Sequence, residues 1–455
     1  MSINEASWLR LERTRGETLR SALERTLRDG IAEGALRAGT RLPSSRALAA
    51  QLGVSRGVAS DAYAQLEAQG YLVVLPRRAP TVASVPAPAP RAAGPAAPPA
   101  RAVRHNFDPT TPDVGLFPRR EWAAALTHVL REMPASDLGY GDPRGHPALR
   151  EALASHLGRT RGVVADPERI VVVQGTAQAI DLLLRLLAAR GARSIAVEDP
   201  SLTSQHERVT GHGLQLLGVP VDDQGVVIDA LQGDAVIVTP AHQFPTGVVL
   251  SGARRRALLD WARSRDAWVI EDDYDGEFRY DREPVRALQG LDPRRVAHLG
   301  TLSKSLAPAL RLGWVVLPEA LGDASDAKRM LDAGSPGLEQ LAFLRLLETG
   351  GYDRHVRRVR GEYRRRRDRM AAALARELPG HPVAGVAAGV HLRLDLPPRV
   401  ADTEVARGCN EAGLAVEALG DYALGQVAPG LVLGYGLLHE SAIDDAVAAL
   451  ARELG

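Results

Sequence analysis

The chain carries 56 Lys and Arg residues, yet only Lys304 and Lys328 are lysine; every other positive charge is written as arginine. A lysine that persists against such usage points to a need for its amine, because an unprotonated amine condenses with an aldehyde and a guanidinium does not. Lys304 stands in Leu302-Ser303-Lys304, after an apolar run and ahead of Leu310-Arg311-Leu312-Gly313. Thr301 and Arg311 bracket it, and a hydroxyl beside a fork of guanidinium donors suits a phosphate monoester. Gly175-Thr176-Ala177, at a strand-to-helix junction, adds the backbone N–H groups of a helix start, a second phosphate-holding feature. Upstream, Val269-Ile270-Glu271-Asp272-Asp273-Tyr274-Asp275 closes another apolar run. There Asp272 offers a carboxylate able to keep a pyridinium nitrogen protonated, and Tyr274 a phenol able to bond a ring oxygen. Amine, phosphate cradle, carboxylate and phenol are together the parts of a pyridoxal phosphate site.

These groups lie far apart in the chain, so a frame must gather them. Apolar runs at Ile170–Val173, 194–197, Ala235–Val238, 267–270, 295–299 and 313–317 alternate with helical stretches such as 177–187 and 253–264. Such alternation predicts a parallel α/β sheet. Ahead of it, residues 84–101 hold Pro86, Pro88, Pro90, Pro95, Pro98 and Pro99 among alanines, with almost nothing to bury. That composition favours polyproline II, at about 3.1 Å per residue, and reads as a semi-rigid linker. The expected organisation is a first domain at 1–83, a linker at 84–104 and a second domain at 105–455.

In the first domain, Leu19, Ala22, Leu23, Leu27 and Ile31 recur at helical spacing between Glu17 and Glu33. Ser44 or Ser45 is placed to cap a second helix that Gly53 ends, and Ser55 to cap a third carrying Val58, Ala62, Tyr63 and Leu66 inward. Two short helices joined by a glycine turn are a helix-turn-helix. Residues 71–75 and 81–83, joined by Pro76-Arg77-Arg78-Ala79-Pro80, read as a hairpin wing. Ser55 and Arg56 then open the helix that reaches base edges, Ser45 and Arg46 the helix beside the phosphate backbone, and Arg41 adds a backbone or groove contact.

Residues 41–72, from Arg41-Leu42-Pro43-Ser44-Ser45-Arg46 through Gly53-Val54-Ser55-Arg56 to Gly70-Tyr71-Leu72, resemble the GntR family of winged-helix regulators. The run from His105 resembles fold type I aminotransferases, and more closely the MocR/GabR regulators, which put a GntR reader ahead of that fold. Tyr140-Gly141-Asp142-Pro143-Arg144-Gly145-His146-Pro147-Ala148-Leu149-Arg150, residues 239–247, 271–280 and 300–313 carry that likeness. It implies an α+β winged helix-turn-helix domain followed by an α/β aminotransferase-like domain. It further implies pyridoxal 5'-phosphate attached at Lys304, with Asp272 at the pyridine nitrogen and Tyr274 at the phenolic oxygen. Thr176, Ala177, Thr301 and Arg311 would hold the phosphate, and Tyr140 would come from the partner subunit of a homodimer with head-to-tail domain exchange. The implied function is a DNA-binding transcription regulator that binds operator duplex and takes pyridoxal phosphate, or a ligand linked to it, as effector. The alternatives are a working aminotransferase with an accessory DNA module, and a second domain kept only as a dimerisation scaffold that no longer holds the cofactor.

Three departures bear on that choice. Asp199-Pro200 is followed by Ser201-Leu202-Thr203-Ser204, where relatives place a ring-stacking tyrosine and, in the GABA-responsive kind, an arginine. The segment Gly430-Leu431-Val432-Leu433-Gly434-Tyr435-Gly436 lacks the arginine that clamps a substrate carboxylate in the enzymes. Phe244 replaces the enzymes' asparagine, leaving His242 or Gln243 to supply a polar contact to the cofactor. The wing tip also lacks the usual glycines.

Bulk properties set the outer bounds. The net charge is +1, but residues 1–83 hold twelve Arg against eight Asp and Glu, as a phosphate-facing domain would. Cys409, the single cysteine, excludes an intrachain disulfide and a cysteine metal cluster. The start has no basic and apolar leader, and no run of 18 apolar residues occurs, so a cytoplasmic location without membrane contact is expected. Nine arginines between Arg354 and Arg369 read as a solvated face paired with acidic neighbours.

Overall fold

Short polar caps decide where the helices of the N-terminal unit begin. In the computed structural model, which describes residues 11–14, 16–76, 78–84, 103–280 and 285–455, the first helix is Leu19–Ala32. Thr18 caps it, accepting from the Ser21 amide at 3.1 Å. Ser44, not Ser45, caps the second helix, Ser45–Leu52, accepting from the Ala47 amide at 3.2 Å. Gly53 ends that helix in the left-handed region at φ 65°, a conformation that costs glycine little. Ser55 caps the third, Arg56–Ala68, accepting from the Val58 amide at 3.3 Å. Leu23, Leu27, Leu48, Ala59, Ala62, Tyr63 and Leu66 close one small core with Leu72 and Val82 of the wing.

The wing strands are shorter than the apolar run suggested. Leu72–Val73 pairs antiparallel with Thr81–Val82, and Val73 and Leu75 are each 45% exposed, so of this run Leu72 is buried in the core and Tyr71 packs at its margin. Arg41 bridges to Thr81 beside this hairpin. Arg77 of the wing tip and nearly all of the linker, 85–102, lie outside the described residues.

Contacts divide the chain into two units, Met1–Ala100 and Arg101–Gly455. The second is built on an eight-stranded sheet, in spatial order Ile170–Val173, Gly313–Val316, Val296–Thr301, Trp268–Asp273, Ala235–Val238, Ser194–Asp199, Gln215–Asp222 and Gly225–Val226. Alternate residues point to opposite faces: Val171 and Val173 join one apolar cluster, Ile170 and Val172 another. Both faces are therefore buried, as a helix-covered sheet requires.

Two expectations for this sheet need correction. Gly313–Val316 runs antiparallel to both neighbours, because only the loop 302–312 joins it to Val296–Thr301, too short for a crossover. That loop carries Lys304 and closes back at the C-terminal end of the parallel strands. The strand Gln215–Asp222 was not legible, since it contains Gly218 and Pro220 and most of its residues are exposed or half-buried near the sheet edge.

A second, antiparallel sheet orders Val383–Ala384, His391–Asp395, Gly430–Gly434 and Glu417–Ala418. Its core joins Leu394, Leu431, Leu433 and Tyr435 to Tyr363 and Met370 of the long helix Gly351–Glu377. The arm His105–Asn106 pairs with Leu414–Ala415 and leads residues 108–111 across this sheet. There the Asp108 carbonyl lies so close to Gly434 that a Cβ would stand 2.0 Å from it.

The arginine-rich helix is mostly paired as expected. Arg365, Arg366 and Arg369 meet Glu362, Glu440 and Asp444, while Arg364 and Arg367 meet Asp368. Arg366 is 3% exposed and ties Asp113 and the Gly436 carbonyl to the helix. Cys409 is buried and free. Among the described residues no helix is long and apolar enough to cross a membrane.

Gly300 sits opposite Trp314, and a Cβ there would fall 2.4 Å from the buried indole. Gly300→Ala should lower the melting temperature by at least about 3 °C, and Trp314→Leu in the same chain should recover part of the loss. An unchanged melting curve for the single variant would show that the indole yields freely.

Candidate functional site

Three acids in a row end the strand Trp268–Asp273, and their partners single out one of them. Glu271 accepts from the amides of Leu288 and Gln289 and faces His298 at 3.2 Å. Asp273 is held by both arms of Arg161, at 2.6 and 2.7 Å. Asp272, 3% exposed, accepts from Gln205 Nε2 at 3.1 Å on one oxygen, and its Oδ1 has no partner. Burial first, then the neighbouring Asp273 and Asp275 carboxylates, push its pKa up to about 7. A buried acid with one open oxygen suits a protonated ring nitrogen, which would restore its charge and fill the vacant acceptor.

Lys304 lies within the field of Asp275, Asp108 and Asp272 and hydrogen-bonds the Thr110 carbonyl. Burial lowers its pKa against the pull of those carboxylates, favouring the neutral amine that covalent chemistry needs. Asp108 stays ionised: burial opposes its charge, but hydrogen bonds from Thr111 and Thr110 hold its pKa below the usual range. His242 Nδ1 sits 2.8 Å from Asp275 Oδ2, which fixes a proton on that nitrogen. The Tyr274 hydroxyl therefore donates to the His242 carbonyl, at 3.1 Å.

An anion cradle is built from two loops. Arg311 adopts the left-handed region at φ 46°, and its guanidinium donates to the Gln174 carbonyl at 2.7 Å. It lies against Gly175, itself at φ 83°, where a Cβ would come within 3.2 Å of Nη2. Glycine is required there by conformation and by contact. The helix Thr176–Ala189 starts immediately after, with no side chain capping it, so the amides of Thr176 and Ala177 stay open to an anion. The Thr301 hydroxyl accepts from the Ser303 amide at 3.1 Å and contacts the Ser303 hydroxyl at 2.9 Å, shaping the turn before Lys304. These groups fit pyridoxal phosphate: an open carboxylate oxygen, a depressed amine and an uncapped helix start flanked by arginine.

Lys304, Asp272, Tyr274 and His242 are thus brought together, as are Arg311 and the 175–177 turn. Tyr140 is not: its side chain is 93% exposed and touches almost nothing of its own chain. Of the two alternatives at 242 and 243, Gln243 is committed to its own loop, donating to the Pro200 and Phe244 carbonyls and accepting from Thr246. His242 keeps Nε2 open. Gln205, Asp108, Thr110 and His391 were not singled out in the sequence, since each arrives from an element remote in the chain. Lys328 is engaged elsewhere, donating to both Asp332 oxygens at 2.6 and 2.7 Å.

On the N-terminal unit Arg41, Arg46, Ser55 and Arg56 are exposed and Ser45 half-buried. None of the three arginines forms an ion pair with a described residue. They surround the start of the second and third helices, the ends that meet duplex in helix-turn-helix readers.

Comparison with known proteins agrees with both halves. Residues 19–82 match the family described as "Bacterial regulatory proteins, gntR family", and residues 113–423 match "Aminotransferase class I and II". The pyridoxine biosynthesis transcriptional regulator PdxR of Corynebacterium glutamicum is 33% identical over 92% of both chains. The probable rhizopine catabolism regulatory protein MocR of Rhizobium meliloti is 33% identical over 81% of this chain and 79% of its own. The chain belongs to the MocR-type transcriptional regulators. An archaeal alanine:glyoxylate aminotransferase superposes with a TM-score of 0.71 at 27% identity, covering 76% of this chain and 90% of the enzyme. A kynurenine aminotransferase of Pyrococcus horikoshii gives 0.71 at 25%, covering 78% and 91%. This MocR-type regulator therefore joins a GntR reader to a fold type I aminotransferase-like domain.

The Asp272 carboxyl gives a signed test in the cofactor-free chain. Its folded pKa, about 7, exceeds its ordinary 3.8, so the native state holds a proton the unfolded state releases, and stability falls as pH rises across that interval. Asp272→Asn should raise the melting temperature at pH 8 by more than at pH 5, and should weaken pyridoxal phosphate binding at least about tenfold. Glu198, Glu277 and Glu417, also raised to about 7, are common to both proteins and cancel. An equal shift at both pH values would place the open oxygen in contact with water.

Proposed function

We propose that this regulator binds pyridoxal 5'-phosphate through Lys304 and that the cofactor, or a ligand linked to it, sets operator occupancy. The buried, half-satisfied Asp272 carries the reading, because an apolar residue would fill its place at lower cost unless a cationic ring nitrogen completed it. Tyr274 lines the phenolic side, with the His242 carbonyl and Nδ1 behind its hydroxyl, and Arg311, Thr301, Thr176 and Ala177 take the phosphate. When bound, the cofactor supplies an electrophilic aldehyde carbon on an electron-poor ring. Lys304 meets it as a neutral amine, and Asp272 holds a proton at the ring nitrogen. Tyr140, so exposed in one chain, is supplied to the site of a second copy in a homodimer with head-to-tail domain exchange. Two readers then engage paired operator half-sites. The name of PdxR, a regulator of pyridoxine biosynthesis, favours the cofactor itself as signal.

Coupling requires only that the cofactor favour one arrangement of the tethered readers over another. Titration of operator duplex with cofactor-free and cofactor-loaded protein should show affinities differing at least about fivefold. Lys304→Ala should abolish both that difference and the visible absorption of the bound cofactor, with an unchanged melting profile in the cofactor-free state. Identical operator curves for the two parent forms would refute cofactor sensing.

The reader makes its own prediction. Arg56→Ala should lose about 1–3 kcal/mol of discrimination between operator and random duplex, as loss of a bidentate base contact does. Arg46→Ala should weaken both duplexes alike. Equal loss on both for Arg56→Ala would reduce it to a phosphate contact.

A further inference from the structure

Two imidazoles beside Lys304 lack the partners that buried polar rings ordinarily have. His242 and His391 are 2% and 1% exposed, and their ring centroids stand 4.8 Å apart. His242 Nε2 and both nitrogens of His391 make no hydrogen bond. The Pro245 carbonyl lies near His391 and favours its charged form, without reaching hydrogen-bond geometry. The space for the pair is kept by Gly389, at φ 67°, where a Cβ would stand 2.3 Å from His242 Cε1. Phe244 packs edge-on against His391 at 5.1 Å, and Tyr422 packs edge-on against Phe244 at 5.0 Å. An imidazole in such aromatic packing could be replaced by a phenyl ring with gain in stability, so its open nitrogens point to a ligand.

The surrounding charges restrict what that ligand is. Lys304 stands near His391, and Asp108, Asp272 and Asp275 stand around that lysine. His391 is neutral: burial first, then the neighbouring His242, drives its pKa well below 6.5. A neutral imidazole gives one donor and one acceptor and cannot neutralise an anion. The positions where a carboxylate clamp was sought offer nothing either, since Leu433 is fully buried in the apolar core and Ser204 is exposed. The carboxylates favour an ammonium, and the imidazoles favour a group that both donates and accepts.

We propose that the His242–His391 pair is the effector-recognition element of this site, and that the effector is a small primary amine bearing a hydroxyl in place of a carboxylate. This rests on the cofactor reading above and names the ligand class of the same pocket. The amine end faces Asp108 and Asp275, and the hydroxyl end donates to one imidazole while accepting from the other. A ligand carboxylate of the same length meets the Asp108 and Asp275 carboxylates and the neutral His391 ring.

The test uses the full-length, cofactor-loaded protein and two probes of matched length, 3-amino-1-propanol and β-alanine, titrated by calorimetry and by operator binding. The amino alcohol should bind at least about tenfold tighter than β-alanine, a difference of about 1.4 kcal/mol. His391→Phe should erase that preference and His391→Gln should keep part of it. In the cofactor-free state His391→Phe should melt higher than the parent, where a purely structural histidine would melt lower. Absence of cofactor absorption in the parent overturns the cofactor reading and this proposal with it. Cofactor binding with equal response to both probes, or with β-alanine preferred, overturns this proposal alone.

Discussion

A carboxyl group shut inside protein must find a cation or give up its charge, and the second unit is organised around one that forms no ion pair with a described residue. Asp272 is carried to the end of a sheet strand between two acids that are already satisfied, Glu271 by backbone amides and Asp273 by Arg161. Its remaining neighbours follow from strand order. Trp268–Asp273 lies parallel to Val296–Thr301, with Asp272 opposite Leu299, so the loop that follows Thr301 opens over the same end of the sheet. The short return to Gly313–Val316 then keeps Lys304 and Arg311 on one loop, with Arg311 against the 175–177 turn across the next strand. Open sheets place their ligand sites at the carboxyl ends of strands for this geometric reason.

The parts visible in the sequence were those whose residue type alone implies a job. Lys304 stood out against near-exclusive arginine usage, and Asp272 and Arg311 because polar residues closed or opened buried apolar runs. Strands buried on both faces were equally plain, since Ile170–Val173 and Ala235–Val238 are unbroken apolar stretches. The parts that were hidden come from contacts that leave no local pattern. Gln205 reaches Asp272 from 67 positions away, and Thr110 reaches Lys304 from 194. Gln215–Asp222 shows no unbroken apolar run, because only the two-residue strand Gly225–Val226 lies beyond it and its exposed positions admit Gly218 and Pro220. Ser44 and Ser45 could not be separated, because a capping hydroxyl is defined by a single backbone torsion and not by composition.

The second lysine shows why residue type is only half an argument. Lys328 has no exposed surface, but its ammonium is fully occupied by Asp332 and Ser335. The same carboxylate accepts from Gln174 and Gln178, which flank the start of the helix Thr176–Ala189. Burial lowers the pKa of both lysines, but Lys328 spends its donors on Asp332 and Ser335 and steadies the phosphate cradle from behind, while Lys304, among the described residues, bonds only the Thr110 carbonyl and keeps its amine for chemistry. Two residues of one type thus divide structure and chemistry by environment.

Because the chain has only these two lysines, covalent attachment can be located directly. Full-length protein loaded with pyridoxal phosphate, reduced with borohydride and digested, should give a single phosphopyridoxyl peptide, and fragmentation should put the label on Lys304. Label on Lys328, or protein that remains unlabelled at saturating cofactor, would contradict the central claim that this fold holds its cofactor through the lysine beside Asp272.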